Sequence, residues 1–214
     1  MNKFFSLLLG ASMLAACGTS APESSHDHNH GSEASASLAD GLYAITKVAP
    51  KVTWTAEKLT GDGHQGTLAV SGGKFKVANG QIQDGVVNFD MTQIAVTDLT
   101  GEEKASLEGH LRSGDFFNVE THPTAVLTVN GIEDNTLSAS LDMNGVKVDY
   151  TIPVSISQTD VPGDQQGIAV TGKFDLDRTK HNITYHSQTF DDKLDWFIKD
   201  DVAVAFAVMG VPVQ

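Results

Sequence analysis

Cys17 is the single thiol in a chain of 214 residues. One thiol can neither close an intramolecular disulfide nor build a cysteine-based zinc site, which leaves covalent modification as its chemistry. Other groups invite metals. His26-Asp27-His28-Asn29-His30 sets three imidazoles on alternate residues, and imidazole suits Zn²⁺, Ni²⁺ and Cu²⁺. That tract reads either as a loose metal collector or as a solvated polar linker. Asp191, Asp192, Asp195, Asp200 and Asp201 crowd around Trp196 and Phe197. Hard cations favour carboxylates, but the spacing is not that of an EF-hand loop, and an exposed acidic loop is the simpler reading. His64, His110, His122, His181 and His186 lie far apart in sequence and could act together only if the fold assembled them. No nucleophile elbow, phosphate loop, dinucleotide fingerprint or His-Glu-x-x-His helix is present. The chemistry points to binding rather than catalysis, with no cofactor implied.

Charge narrows the partners. There are 14 Lys+Arg against 27 Asp+Glu, a formal net charge of −13. So acidic a chain lacks the basic stripe that nucleic-acid backbones require. No apolar run reaches the roughly 18–20 residues that cross a bilayer as a helix. Residues 1–16 read as a secretory signal, with Lys3 before an apolar core of Phe4, Phe5, Leu7, Leu8 and Leu9. Its end, Leu14-Ala15-Ala16-Cys17, resembles the bacterial lipobox, in which the cysteine is lipidated and becomes the mature N-terminus. Cys17 is therefore the expected lipid anchor. It would hold the protein to a membrane of the bacterial envelope, facing the periplasm or the cell surface. Residues 17–40 form the expected tether, rich in Ser, Ala and His and free of Lys and Arg.

Residues 41–214 form the expected folded body, which retains 13 of the 14 Lys+Arg and 23 of the 27 Asp+Glu. Its dominant period is two, the signature of strands with one buried face. Leu137, Ala139, Leu141 and Met143 alternate with Ser138, Ser140 and Asp142; Tyr150, Ile152, Val154 and Ile156 alternate with Thr151, Pro153 and Ser155. Asn79-Gly80, Asn130-Gly131 and Asn144-Gly145 supply the positive-φ pairs of tight hairpins. Pro153 inside its run calls for an edge, a bulge or a non-bonded position. One helix is expected after Thr100, whose spacing to Glu103 matches a capping box. Leu107 and Leu111 would form its apolar stripe and Glu108–Arg112 an ion pair, with Gly114 as the stop. Such a pattern folds as an antiparallel sandwich or a closed barrel. Val202 to Met209 is apolar at every position. That strand must be dry on both faces, or face an apolar interior on one side and a covering element or second subunit on the other. A homodimer is one way to meet the last requirement.

The stretch His110-Leu111-Arg112-Ser113-Gly114-Asp115-Phe116-Phe117-Asn118 through His122-Pro123 resembles, in register, the signature of the YceI-like family, bacterial secreted proteins also described as lipid- or polyisoprenoid-binding. Leu42-Tyr43-Ala44-Ile45 with Val52-Thr53-Trp54 is similar to that family's opening strands. Phe174 with Asp177-Arg178-Thr179-Lys180 and Ile183 is similar to its late segment. Asn118 and His122 depart from the signature's acid and tyrosine. The resemblance implies an all-β, extended, lipocalin-like antiparallel barrel with one short helix packed against it. It also implies an apolar channel that carries or stores a polyisoprenoid or another long amphiphile. The expected channel contacts are the aromatic strand residues Trp54, Phe75, Phe89, Tyr150, Phe174 and Phe206, with Phe117 after the helix. Of Phe116 and Phe117, one is expected to plug the barrel and the other to pack outside. His110 and Arg112 are candidate head-group ligands, against the alternatives of a structural histidine and an ion-paired arginine.

Overall fold

The computed structural model describes residues 37–46, 51–163, 165–193 and 195–213. The lipobox with Cys17, His26, His28 and His30, and all but the end of the tether lie outside the described residues. Among the described residues nine strands form one antiparallel sheet: β1 (Gly41–Ile45), β2 (Lys51–Glu57), β3 (Gly63–Ala78), β4 (Gln81–Val96), β5 (Thr124–Glu133), β6 (Thr136–Met143), β7 (Val146–Val161), β8 (Gln165–Asp177) and β9 (Asp201–Pro212). β1 and β2 each pair with β3 on one side and β9 on the other, so together they make a single interrupted stave. The β3–β4 pairing closes the ring. The result is an eight-stave barrel, which decides between the two architectures that alternation alone allows.

Alternation sorts the walls. On β6, Leu137, Ala139, Leu141 and Met143 are buried, while Ser138 and Asp142 are exposed. On β9, Val202, Val204, Phe206 and Val208 turn inward and Ala203, Ala205, Ala207 and Met209 outward. The outward alanines are exposed or half-buried. They are shielded by longer side chains on the flanking strands, such as Lys51, Thr53 and Lys173, rather than by the helix, which packs along β4.

Two of the three Asn-Gly pairs turn hairpins. Asn79-Gly80 (φ 56° and 73°) joins β3 to β4, and Asn144-Gly145 (φ 51° and 74°) joins β6 to β7. Asn130-Gly131 does not. It lies inside β5 as a register shift between Val129 and Gly131, and Ile132 beyond it still pairs with Leu137. The β5–β6 turn falls on Asp134-Asn135 (φ 47° and 58°), residues whose short polar side chains tolerate the left-handed region. Pro153 marks a change of partner: β7 pairs with β6 up to Pro153 and with β8 from Val154 onward.

Helix α1 (Gly101–Arg112) begins after Thr100, but the Thr100 side chain makes no cap hydrogen bond, so the expected capping box is not formed. Glu108 ties the helix down instead. Its carboxylate accepts from the Val96 N–H at 3.0 Å and sits 3.7 Å from both Lys104 and Arg112. Ser113, not Gly114, ends the helix: its N–H and hydroxyl both donate to the His110 carbonyl. Leu111, Phe116 and Val119 then pack with Met91, Ile94, Leu176 and Ile183 across one end of the barrel.

The turn assignment has a direct check. Valine at Asn135 must adopt a left-handed backbone, at a cost of about 1–2 kcal/mol, whereas valine at Asn130 need not. Urea unfolding should show Asn135→Val clearly less stable than Asn130→Val; the reverse order would contradict the assignment.

Candidate ligand-binding lumen

The barrel encloses an apolar cavity of about 190 Å³. Its wall residues on β4 alone run from Ile82 to Ile94, roughly 40 Å of strand contour. So small a volume over such a length makes a narrow bore, suited to a single extended hydrocarbon chain. Among the described wall residues, Lys74 and Arg178 are the ones that carry charge.

Glycines shape that bore. A Cβ on Gly66 would lie 2.3 Å from the Trp54 ring; on Gly210, 2.3 Å from the Phe75 ring; on Gly172, 2.5 Å from the Phe206 ring. Each aromatic therefore lies over a bare patch of backbone, along the wall instead of across the lumen. Tyr43 stacks on Phe75 with centroids 5.3 Å apart and nearly parallel planes.

Six of the seven candidate contacts, Trp54, Phe75, Phe89, Phe117, Phe174 and Phe206, line the cavity. Tyr150 does not. It packs edge-on to Phe174 at 5.5 Å, and its hydroxyl meets His181 Nε2 at 2.9 Å. Phe116 lines the cavity together with Phe117, so neither packs outside as expected. The Trp54 indole N–H is buried without an acceptor among the described residues.

The candidate head-group residues sit off the cavity. His110 pairs with Asp115 at 3.2 Å and stands edge-on to Phe116 and Tyr185. Arg112 donates to the Ile94 carbonyl at 3.0 Å and flanks Glu108. Both tie the helix to the barrel end. The other histidines disperse: His64 to Asp98, His186 to the Trp196 carbonyl, His181 to Tyr150. Among the described residues no group of three or more His, Cys, Asp or Glu could hold a metal ion. Asp200 is engaged by Arg178 and Thr189.

Two buried polar residues, Arg178 and His181, hold structural roles that the sequence does not assign to them. Arg178, 3 % exposed, donates to the carbonyls of Ile183, Ile198 and Lys199 and reaches Asp200 at 3.4 Å. It pins the 3₁₀ turn Arg178–His181 to the segment leading into β9. His181 is fully buried. Its Nδ1 lies 3.0 Å from the Val146 carbonyl and must donate to it, so in the neutral ring Nε2 accepts from the Tyr150 hydroxyl. Burial pushes the His181 imidazole below its ordinary value. Burial, with Asp177 nearby, pushes the Tyr150 phenol up to about 12. The sequence signals were the Asp177-Arg178-Thr179 stretch for Arg178 and membership of the dispersed histidines for His181, and neither gives the hydrogen-bonding role.

A ring of eight antiparallel staves with a helix across one end and an apolar bore defines an extended lipocalin-like barrel. The chain belongs to the YceI-like domain family, whose pattern it matches over residues 43–209. No curated protein matches it. Among solved structures it is similar to Burkholderia cenocepacia BcnA, with 15 % identity and a TM-score of 0.61 over 77 % of this chain and 98 % of that one. A polyisoprenoid binding domain from Saccharophagus degradans gives 16 % and 0.58 over 80 % and 98 %. The Campylobacter jejuni YCEI protein gives 16 % and 0.52 over 69 % and 81 %. At these identities the likeness is one of fold.

The His181 geometry predicts a pH dependence. Below about pH 6.5 the unfolded chain takes up a proton that the buried imidazole resists, so stability falls as pH drops, until the folded ring protonates too. His181→Asn should flatten the fall in urea midpoint between about pH 7 and pH 5; an unchanged slope would contradict the buried neutral ring.

Proposed function

We propose that this protein binds a long-chain amphiphile, foremost a polyisoprenoid, in the barrel lumen, and carries or stores it at a bacterial envelope to which lipidated Cys17 anchors it. The observation that bears most of the weight is the narrow apolar bore running along the barrel. Leaving about 190 Å³ empty costs roughly 4–5 kcal/mol at 24 cal/mol per Å³, which an occupying chain returns. Each methylene withdrawn from water adds about 0.8 kcal/mol. A polyisoprenoid-binding neighbour of the same fold supports the ligand class. Trp54, Phe75, Phe89, Phe117, Phe174 and Phe206 are the proposed contacts, with Tyr150 supporting Phe174 from behind. No step of this function requires catalysis.

The anchor rests on Leu14-Ala15-Ala16-Cys17 and on the absence of any other cysteine. A body of net negative charge is repelled by anionic head groups, so attachment falls to the acyl chains, several of which hold firmly where one does not. The His26, His28 and His30 tract of the tether is a subsidiary candidate for weak metal capture.

Two measurements test these readings. Native mass spectrometry of protein purified without detergent should show co-purified lipid, and Leu127→Trp, which fills the lumen at a half-buried wall position, should lose it while keeping a cooperative unfolding transition. Equal lipid occupancy in parent and Leu127→Trp would place the lipid elsewhere. For the anchor, Cys17→Ser should move the protein from the membrane fraction to the soluble fraction; continued sedimentation with membranes would refute lipidation as the attachment.

A further inference from the structure

The barrel wall is parted along part of the seam between β7 and β8. The last β7–β8 pair is Val154 with Gly172. Beyond it, β7 pairs only with β6, and Lys173–Asp177 of β8 pairs only with β9. The far end of the slot is bridged by the 3₁₀ turn, through His181 to the Val146 carbonyl and the Tyr150 hydroxyl. Between these limits the slot is backed by rings: Tyr150 against Phe174, and Phe206 folded over Gly172.

On the outer face, at the Val154–Gly172 end of this seam and continuing over β9 to β2, lies an open groove of about 500 Å³. Among the described residues Phe206 is the one that lines both the groove and the lumen, and its ring reaches over Gly172 toward the Pro153 carbonyl at the edge of the seam. The groove is bordered by Lys51 and Lys173 and by the hydroxyls of Thr53, Ser155 and Thr171, and no Asp or Glu among the described residues lines it. In a chain with 27 Asp+Glu against 14 Lys+Arg, such a local excess of positive charge is informative. Neither lysine forms an ion pair with a described residue.

We infer that the parted β7–β8 seam is a lateral portal to the lumen, gated by Phe206, and that the groove over it seats an anionic head group, a phosphate monoester or a carboxylate, between Lys51 and Lys173 while the tail lies inside. The inference rests on the lumen-binding reading. It adds a polarity to it: the ligand is an amphiphile with one compact negative end, held at the flank of the barrel rather than at its helix-covered end. The groove's alanines, Ala205 and Ala207, leave room for the head group, and the small area of bare backbone at Gly172 lets the Phe206 ring move without displacing a side chain.

The test titrates the purified full chain with farnesyl phosphate, palmitate and farnesol, read by tryptophan fluorescence. The parent should bind the phosphate, the carboxylate or both more tightly than the alcohol. Lys51→Glu/Lys173→Glu, exposed substitutions that leave the core intact, should weaken each favoured anion about tenfold and leave farnesol within about twofold. The charge reversal Lys76→Glu, on the outer face of β3 and outside the groove, should leave all three affinities unchanged. A loss for the phosphate alone assigns a phosphate head group, and a loss for palmitate alone a carboxylate. Phe206→Ala should speed farnesol uptake several-fold in stopped flow. Farnesol binding that persists with no anion preference, or with an anion preference indifferent to the two lysines, overturns the head-group seat while the lumen reading stands. An uptake rate unchanged in Phe206→Ala overturns the portal. Failure of the parent to bind any of the three overturns the lumen reading, and the portal with it.

Discussion

Everything that makes this barrel a container depends on aromatic rings lying over glycines. Trp54 over Gly66, Phe75 against Gly210 and Phe206 over Gly172 are three instances of one steric bargain. A small β-barrel ordinarily fills its own interior with side chains. Here the rings lie against bare backbone, on the adjacent stave for Trp54 and Phe206 and on the next stave but one, past β1, for Phe75. A β-carbon at any of the three glycines would push its ring by about an ångström or more toward the lumen, since ordinary carbon contacts begin at about 3.5 Å. The apolar bore, its narrowness and its capacity for one slim chain all follow from that arrangement.

Closure of the barrel places the remaining parts. The interrupted first stave lets β3 pair with two short strands and then with β4, which completes the ring. The last turn of α1 and the loop after it shut one end with Leu111, Phe116 and Phe117. Near the same end, β7 and β8 lose each other as partners, and Arg178 and His181 repair the wall with side-chain hydrogen bonds to backbone carbonyls. A guanidinium and an imidazole are well suited to this: each offers directional N–H donors to carbonyls that have no ladder partner, at a site too dry for water to satisfy them.

Much of this architecture was legible in the sequence, because period-two alternation is a local property. The staves follow from it, while the Asn79-Gly80 and Asn144-Gly145 turns follow from pairs that accept positive φ and the helix between β4 and β5 from its i,i+4 spacing. What was not legible depends on register between distant segments. Asn130-Gly131 has the same chemistry as its two hairpin counterparts, yet it became a bulge because Ile132 found a partner in Leu137 and the strand went on. The capping box at Thr100 had the right letters, but Glu108 took the role of fastening the helix by reaching back to Val96. The candidate lumen aromatics could be picked out as inward-facing residues, while the glycines beneath them could not, since each pairing joins positions that only the closed sheet brings together. Tyr150 shows the limit of facing alone. It sits on the inward face of β7, but its hydroxyl drew it to His181 and away from the cavity.

The central claim is that the lumen holds an extended hydrocarbon chain against these rings. The most direct measurement is isotope-filtered NMR of the protein with ¹³C-labelled farnesol, recording cross-relaxation from chain methyls to aromatic ring protons. The account predicts contacts to Trp54 and Phe206 from different parts of the same chain. Contacts confined to outward residues such as Ala203 and Met209, with none to the lumen rings, would contradict it.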